Sequence, residues 1–295
     1  MVSANMYFAK LSMNSEIYDF YENPELFADY IKKVYRSINS ETQIKDKNGN
    51  TYKFNSLIYN KDKLAITGRY SKIFDGNVES YDWKNDQPRK VGAKDLSSTV
   101  NFYFDLNTQL IAYTGARDFG YRQFTEMFKA YIENALNDNK IKVAVELLIN
   151  DAEMNEKIKR FKMIEQISFS IIPPNPPNLE EFNALFGVKA EVISESRTTR
   201  YKEVYSSIKK GLKYTKYFIN TIFAIKDGYG SVSVKGINEN ERVEVITSQE
   251  AAPKKININR KNKDNLEYIK NEGEQGIQSI MVEKTRKDLE GRKQY

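Results

Sequence analysis

The clearest hydrophobic pattern runs from Ser98 to Asn150. Apolar and polar positions alternate through Thr99-Val100-Asn101-Phe102-Tyr103-Phe104-Asp105, and a second apolar run follows at Leu110-Ile111-Ala112-Tyr113. The short link Leu106-Asn107-Thr108-Gln109 between them predicts a β-hairpin. Gly115 and Gly120 bracket a loop. Beyond it, Tyr121, Phe124, Phe128, Tyr131, Ile132 and Leu136 recur at three- and four-residue steps, the period of one helix face. Asn137-Asp138-Asn139 is expected to stop that helix, and the β-branched run Lys142–Ile149 predicts a strand. The unit is strand, strand, helix, strand, with one helix face covering one sheet face.

Elsewhere Asn5–Met13 alternates as a strand, and Leu26, Phe27, Tyr30, Ile31 and Val34 mark a helix behind Pro24. Thr51–Tyr59 and Lys63–Phe74 predict a second hairpin, and residues 75–97, polar and holding Trp83, a long surface loop. Asp151 is expected to cap a helix over 152–163, followed by a strand at Ile164–Ile172. Pro173-Pro174-Asn175-Pro176-Pro177 reads either as a stiff corner or as a PxxP ligand. Asn178 is expected to cap a short helix, Leu179–Phe186, and Lys189–Ser194 to add a strand. Residues 197–226 read as a basic, then apolar, helical region. Ile208, Leu212, Ile219, Ile222, Phe223 and Ile225 place its helix across 206–226. Gly230–Ile237 and Arg242–Thr247 predict a last hairpin. From Ala251 the chain turns polar and cationic and reads as a weakly ordered tail with marginal helices over Asn265–Ile269 and Gln278–Gly291.

This order predicts an α+β fold, antiparallel-rich sheets with helices packed on one face and a basic C-terminal tail. The expected divisions are an N-terminal α+β part over 1–97, a central and C-terminal α+β part over 98–250, and the tail over 251–295.

Composition narrows the chemistry. Among 295 residues, 40% are apolar and 13% aromatic, with twenty Tyr and sixteen Phe, so a large aromatic core is expected. There is no cysteine and no histidine. Disulfides, thiolate or histidine catalysis, and Cys- or His-bound metals are therefore excluded. No apolar run reaches the roughly 20 residues needed to cross a bilayer, and no signal peptide is read, so a cytoplasmic protein without membrane contact is expected. The net charge is +6 with a pI near 9.0, which permits an anionic partner.

The best functional candidate is the stretch Arg197, Arg200, Tyr201, Lys202, Lys209, Lys210, Lys213, Tyr214 and Lys216, in which only Glu203 opposes the cations. Its cations would meet phosphates and its tyrosines would stack on unpaired bases. The competing reading is a solvated helix face with core tyrosines. A second basic set, Lys84, Arg89, Lys90 and Lys94, lies near Trp83 in what reads as an exposed loop. Asp105, Glu146, Asp151 and Glu153 are the acids available to a carboxylate-bound metal, although no spacing sets them apart. No phosphate-binding loop is present, and no cofactor or metal is expected.

Phe102-Tyr103-Phe104-Asp105, Leu110-Ile111, a helix and Val143-Ala144-Val145 resemble the middle of the recombination-associated RdgC proteins, which are ring-forming DNA binders. The same order followed by Ile167 to Pro177 resembles the phage-exclusion protein RexA and mobile-element proteins that carry a strand ending in Pro-Asn-Pro, here Pro174-Asn175-Pro176. The resemblance spans about residues 5–250. It implies DNA binding, single- or double-stranded, self-association into a homo-oligomer, and a role in phage defence or exclusion. The expected function is thus a non-enzymatic DNA binder. The alternatives are a carboxylate- and metal-dependent nuclease or other effector enzyme, and a protein–protein adaptor without nucleic acid.

Overall fold

Every position of the first strand from Tyr7 onward except Tyr7 itself is buried, because three other strands pair with it. The computed structural model describes residues 3–137, 142–207 and 209–292, with the side chains of residues 177, 181, 185 and 285–292 excepted. In chain order the elements are β1 (Ser3–Met13), α1 (Ile17–Glu22), α2 (Pro24–Ser37), β2 (Gln43–Lys45), β3 (Thr51–Asn60), β4 (Ala65–Asp82), β5 (Gln87–Asp105) and β6 (Leu110–Thr114). Then come α3 (Tyr121–Ala135), β7 (Val143–Leu147), α4 (Asp151–Lys159), β8 (Met163–Ile171), α5 (Leu179–Phe186), α6 (Val188–Glu195), β9 (Tyr201–Ser206) and α7 (Lys216–Ile225). The chain closes with β10 (Gly230–Ile237), β11 (Val243–Thr247), α8 (Ser248–Ala251), β12 (Lys255–Asn259) and α9 (Leu266–Arg292). The fold is α+β, and all strand pairs are antiparallel.

The larger sheet runs β12-β1-β6-β5-β4-β3-β2, with β7 also on β1. β12 pairs with Ser3–Tyr7 and β7 with Ala9–Met13, so these two strands lie end to end along one edge of β1. On one face sits α3, as its period predicts. Phe124 stacks on Tyr113 at 4.0 Å, and Tyr131 meets Phe54 edge-on at 4.5 Å. α2 adds Phe27, Tyr30, Ile31 and Val34 to this core. Each such side chain contributes about 1.5–3 kcal/mol on burial.

The smaller sheet runs β11-β10-β8-β9. Ile167, Phe169, Ile171, Val232 and Val234 face Phe182, Ile193, Phe218 and Ile222 of the surrounding helices. Ser168, Ser170, Ser231 and Ser233 alternate onto the other face. The proline run joins the two sheets. It places fully buried Asn175 where its Oδ1 accepts from Met13 N–H at 2.9 Å and its Nδ2 donates to Leu11 O at 3.0 Å. The run acts as a corner, and it passes into a 3-10 turn at Pro176–Asn178 rather than staying extended.

Several expectations are corrected. Residues 75–97 are strand, the outer halves of β4 and β5, because the chain pairs with itself across the turn after Asp82. Lys189–Ser194 lies in α6, where Ala190 and Ile193 are buried at helical spacing. The helix expected across 206–226 covers only Lys216–Ile225, since Ser206 ends β9 and the N–H groups of Ser207 and Leu212 donate to β8 carbonyls rather than within a helix. The cap of α4 is Asn150, which accepts from Glu153 N–H, rather than Asp151. The tail is ordered as β12 and α9, and α9 covers the second face of the larger sheet with Ile269, Ile277 and Ile280 against Met6, Phe8 and Tyr103. Asn178 is not a side-chain cap for α5. Asp138, Asn139 and Ile208 lie outside the described residues. The boundary drawn at 97/98 falls inside β5.

Candidate nucleic-acid interface

β9 is an edge strand, so one row of its side chains enters the core and the other meets solvent. The inward row is a polar knot. Glu203 pairs with Lys189 and accepts from the hydroxyls of Tyr205 at 3.0 Å and Tyr217 at 2.7 Å. Burial, then the bond to Glu203, pushes the Tyr205 hydroxyl up to about 12. Tyr201 packs against the same core. Lys202 stands on the exposed row.

The two arginines of the predicted set are engaged elsewhere. Arg197 bonds Asp19 at 2.8 Å, reaches Glu22 at 3.5 Å and lies over the Tyr18 ring. Arg200 bonds Glu146 at 3.1 Å and Ser170 at 2.8 Å. Tyr214 stacks one ring face on Phe218, and its hydroxyl donates to Asn155; burial pushes that hydroxyl well above the usual tyrosine range. Tyr201 and Tyr214 therefore serve the core, and neither is an open stacking platform.

Lys209, Lys210, Lys213 and Lys216 remain. All four are exposed and make no ion pair among the described residues. The irregular segment carrying the first three is held in place rather than loose. Ser207 N–H donates to Glu165 O at 2.9 Å, and Leu212 N–H to Ile164 O at 2.7 Å. Gly211 takes φ +70°, and a Cβ there would come 2.6 Å from Met163 Cγ, so the segment lies tight against β8. The four lysines lie within eight residues of chain, 209–216, with no acidic residue among them.

Arg200 and Glu146 meet in a cleft of about 390 Å³ between α3 and the serine-bearing face of the smaller sheet. Gln249 completes the Glu146 carboxylate at 3.0 Å, and Arg122 pairs with Glu250 across the mouth. Its charges are matched, so it offers little field to a polyanion. The serine floor was readable as Ser231-x-Ser233-x-Lys235 alternation; the pairing of Arg122 with Glu250 had no local signal. The other candidate acids do not converge on one point. Asp105 accepts from Asn107 and Thr108 N–H at 2.9 and 3.3 Å, Glu153 pairs with Lys157 at 2.8 Å, and Asp151 opens α4. Among the described residues, no group of three acids is placed to hold a metal.

The chain matches the family model described as Domain of unknown function (DUF4747) over residues 20–274. It belongs to the DUF4747 family. The match reaches from α1 to within α9, so it takes in the smaller sheet, the lysine segment and the larger sheet apart from β1, but only the first part of the C-terminal helix. No curated protein matches the chain. No helix among the described residues is long and apolar enough to cross a membrane.

Proposed function

We propose that this DUF4747 protein is a non-enzymatic, sequence-tolerant DNA-binding protein whose phosphate contacts come from Lys202, Lys209, Lys210, Lys213 and Lys216. The supporting observation is the cluster of four exposed lysines at 209–216, without a carboxylate partner among the described residues, on a segment fixed against β8. A role in phage exclusion and assembly into an oligomer follow from the resemblance in element order. Each neutralised phosphate contributes roughly 0.7–0.9 to the slope of log K against log salt, so five contacts give a slope of about −4. Replacing Lys209, Lys210, Lys213 and Lys216 by Ala should remove most of that slope, equally for different sequences, and leave thermal unfolding unchanged. Wild-type affinity and slope in the quadruple variant would reject the patch. No binding by the wild type at low salt would reject DNA as the ligand and favour the adaptor reading.

A further inference from the structure

The cleft of about 390 Å³ that holds Arg200 and Glu146 lies between the two sheets. α3 and β7 line it on the larger sheet's side; β10, Arg200 and the turn from β11 into α8 line it on the other. Its volume falls within the range of small-molecule sites, about 300–1,000 Å³.

Its charges cancel. Arg200 pairs with Glu146 and Arg122 with Glu250, while Glu126 and Lys129, one helical turn apart on α3, add one charge of each sign. A ligand with net charge therefore meets no excess of counter-charge. No aromatic ring lines the cleft, so a flat base has nothing to stack on.

Hydrogen-bonding capacity remains, with donors and acceptors side by side. Arg200 donates through Nη1 to Ser170 Oγ at 2.8 Å and through Nη2 to Glu146 Oε1 at 3.1 Å, and its guanidinium has further N–H groups. Glu146 Oε1 accepts that one bond and Oε2 one more, from Gln249 Nε2 at 3.0 Å, so each oxygen keeps a lone pair. The hydroxyls of Ser231 and Ser233 have no hydrogen-bond partner among the described residues. They share one face of β10, and Thr247 stands opposite Ser233 on β11, about 5 Å away at Cβ. A single alcohol cannot span such a row, whereas a ligand with several hydroxyls can. Each ligand hydroxyl can donate to a carboxylate and accept from a guanidinium or amide at once, with no charge of its own.

We propose that the cleft binds a neutral polyol, a sugar or a cyclitol, whose hydroxyls bridge Glu146, Arg200 and Gln249 to Ser231 and Ser233. Glu146 stands on the larger sheet and the other four on the smaller side, so the bound polyol ties the two sheets together. This inference does not depend on the nucleic-acid reading.

Saturation-transfer NMR on the full chain tests it, with D-glucose, trehalose and myo-inositol as probes. γ-Aminobutyrate, inorganic phosphate and putrescine stand for zwitterion, anion and cation. At least one polyol should bind saturably, and the three charged probes should not. Replacing Ser231 and Ser233 together by Ala should raise the polyol's dissociation constant at least about tenfold. Both serines are half-buried on a wet sheet face, so melting should stay as wild type. Gln249→Ala, from a different element, should weaken binding several-fold. Three results would each overturn the proposal: no polyol binding with a dissociation constant below about 10 mM, binding indifferent to both variants, or a charged probe that binds more tightly than any polyol.

Discussion

Gly276 decides whether α9 is a docked element. A glycine in a helix interior costs about 1 kcal/mol against alanine, so Gly276→Ala in a solvated helix raises stability by that amount. In the structure a Cβ at this position would come 2.5 Å from Phe8 Cζ and 2.9 Å from Cε1, and 3.4 Å from Ile256 Cδ1. Phe8 is fully buried, so its ring has no free space to enter. Forcing a methyl into a filled core costs about 1–3 kcal/mol. Setting that against the propensity gain gives a net loss of about 1 kcal/mol for Gly276→Ala, with the sign reversed from the solvated case. Gly276→Val adds two more carbons and regains less propensity, so its loss should be about 2 kcal/mol. Urea unfolding followed by far-UV circular dichroism measures both as a lower midpoint at constant m. Trimming the ring with Phe8→Leu should relieve part of the loss, giving a coupling of at least about 0.5 kcal/mol in a double-mutant cycle. A midpoint that rises in Gly276→Ala would refute the docking of α9 on Phe8.

Asn175→Ala should destabilise by about 1–3 kcal/mol, because it leaves the buried Met13 N–H and Leu11 carbonyl without their partner; an unchanged urea midpoint would show that the corner does not depend on it. Stability should be complete below pH 10 and fall as pH rises toward 12. Burial pushes the Tyr18 and Tyr205 hydroxyls up to about 12, whereas unfolded tyrosine titrates near 10.0, so the unfolded state loses its protons first. Tyrosinate absorbance should therefore rise late and together with loss of circular dichroism; all twenty tyrosines titrating near 10 in an intact fold would contradict this.

The central unit was legible because its side chains repeat at the period of the element that buries them. Phe124, Phe128, Tyr131 and Ile132 all enter one core, and so do Val100, Phe102 and Phe104. α9 was not legible because its contact face reads Ile269, Gly273, Gly276, Ile277 and Ile280. Two of these five positions are glycine, which close approach to the sheet requires and which a hydrophobic period does not register. The outer halves of β4 and β5 were missed for the opposite reason. Both of their faces are wet, so no burial alternation marks them, and only the pairing of Val78 with Val91 and of Glu79 with Lys90 defines them. In β9 the apolar positions fit a strand or a helix equally well. The choice is made by Ile164 and Glu165 of β8, which bind the segment after it from more than forty residues away in sequence.

The candidate site was legible as charge but not as available charge. Arg197 and Arg200 read like Lys209 along the chain, yet their partners, Asp19 and Glu146, come from α1 and β7, at separations of 178 and 54 residues. A cation run in sequence therefore overstates a binding surface until the pairs made by the fold are subtracted. What remains here is lysine alone. An arginine fork can take two acceptors of one base edge, whereas an ammonium group is a point charge on a flexible stem. A patch built only of lysines fits phosphates without fixing a base. Affinity for nucleic acid should accordingly follow salt steeply and sequence weakly, which is the combination the quadruple lysine variant is designed to remove.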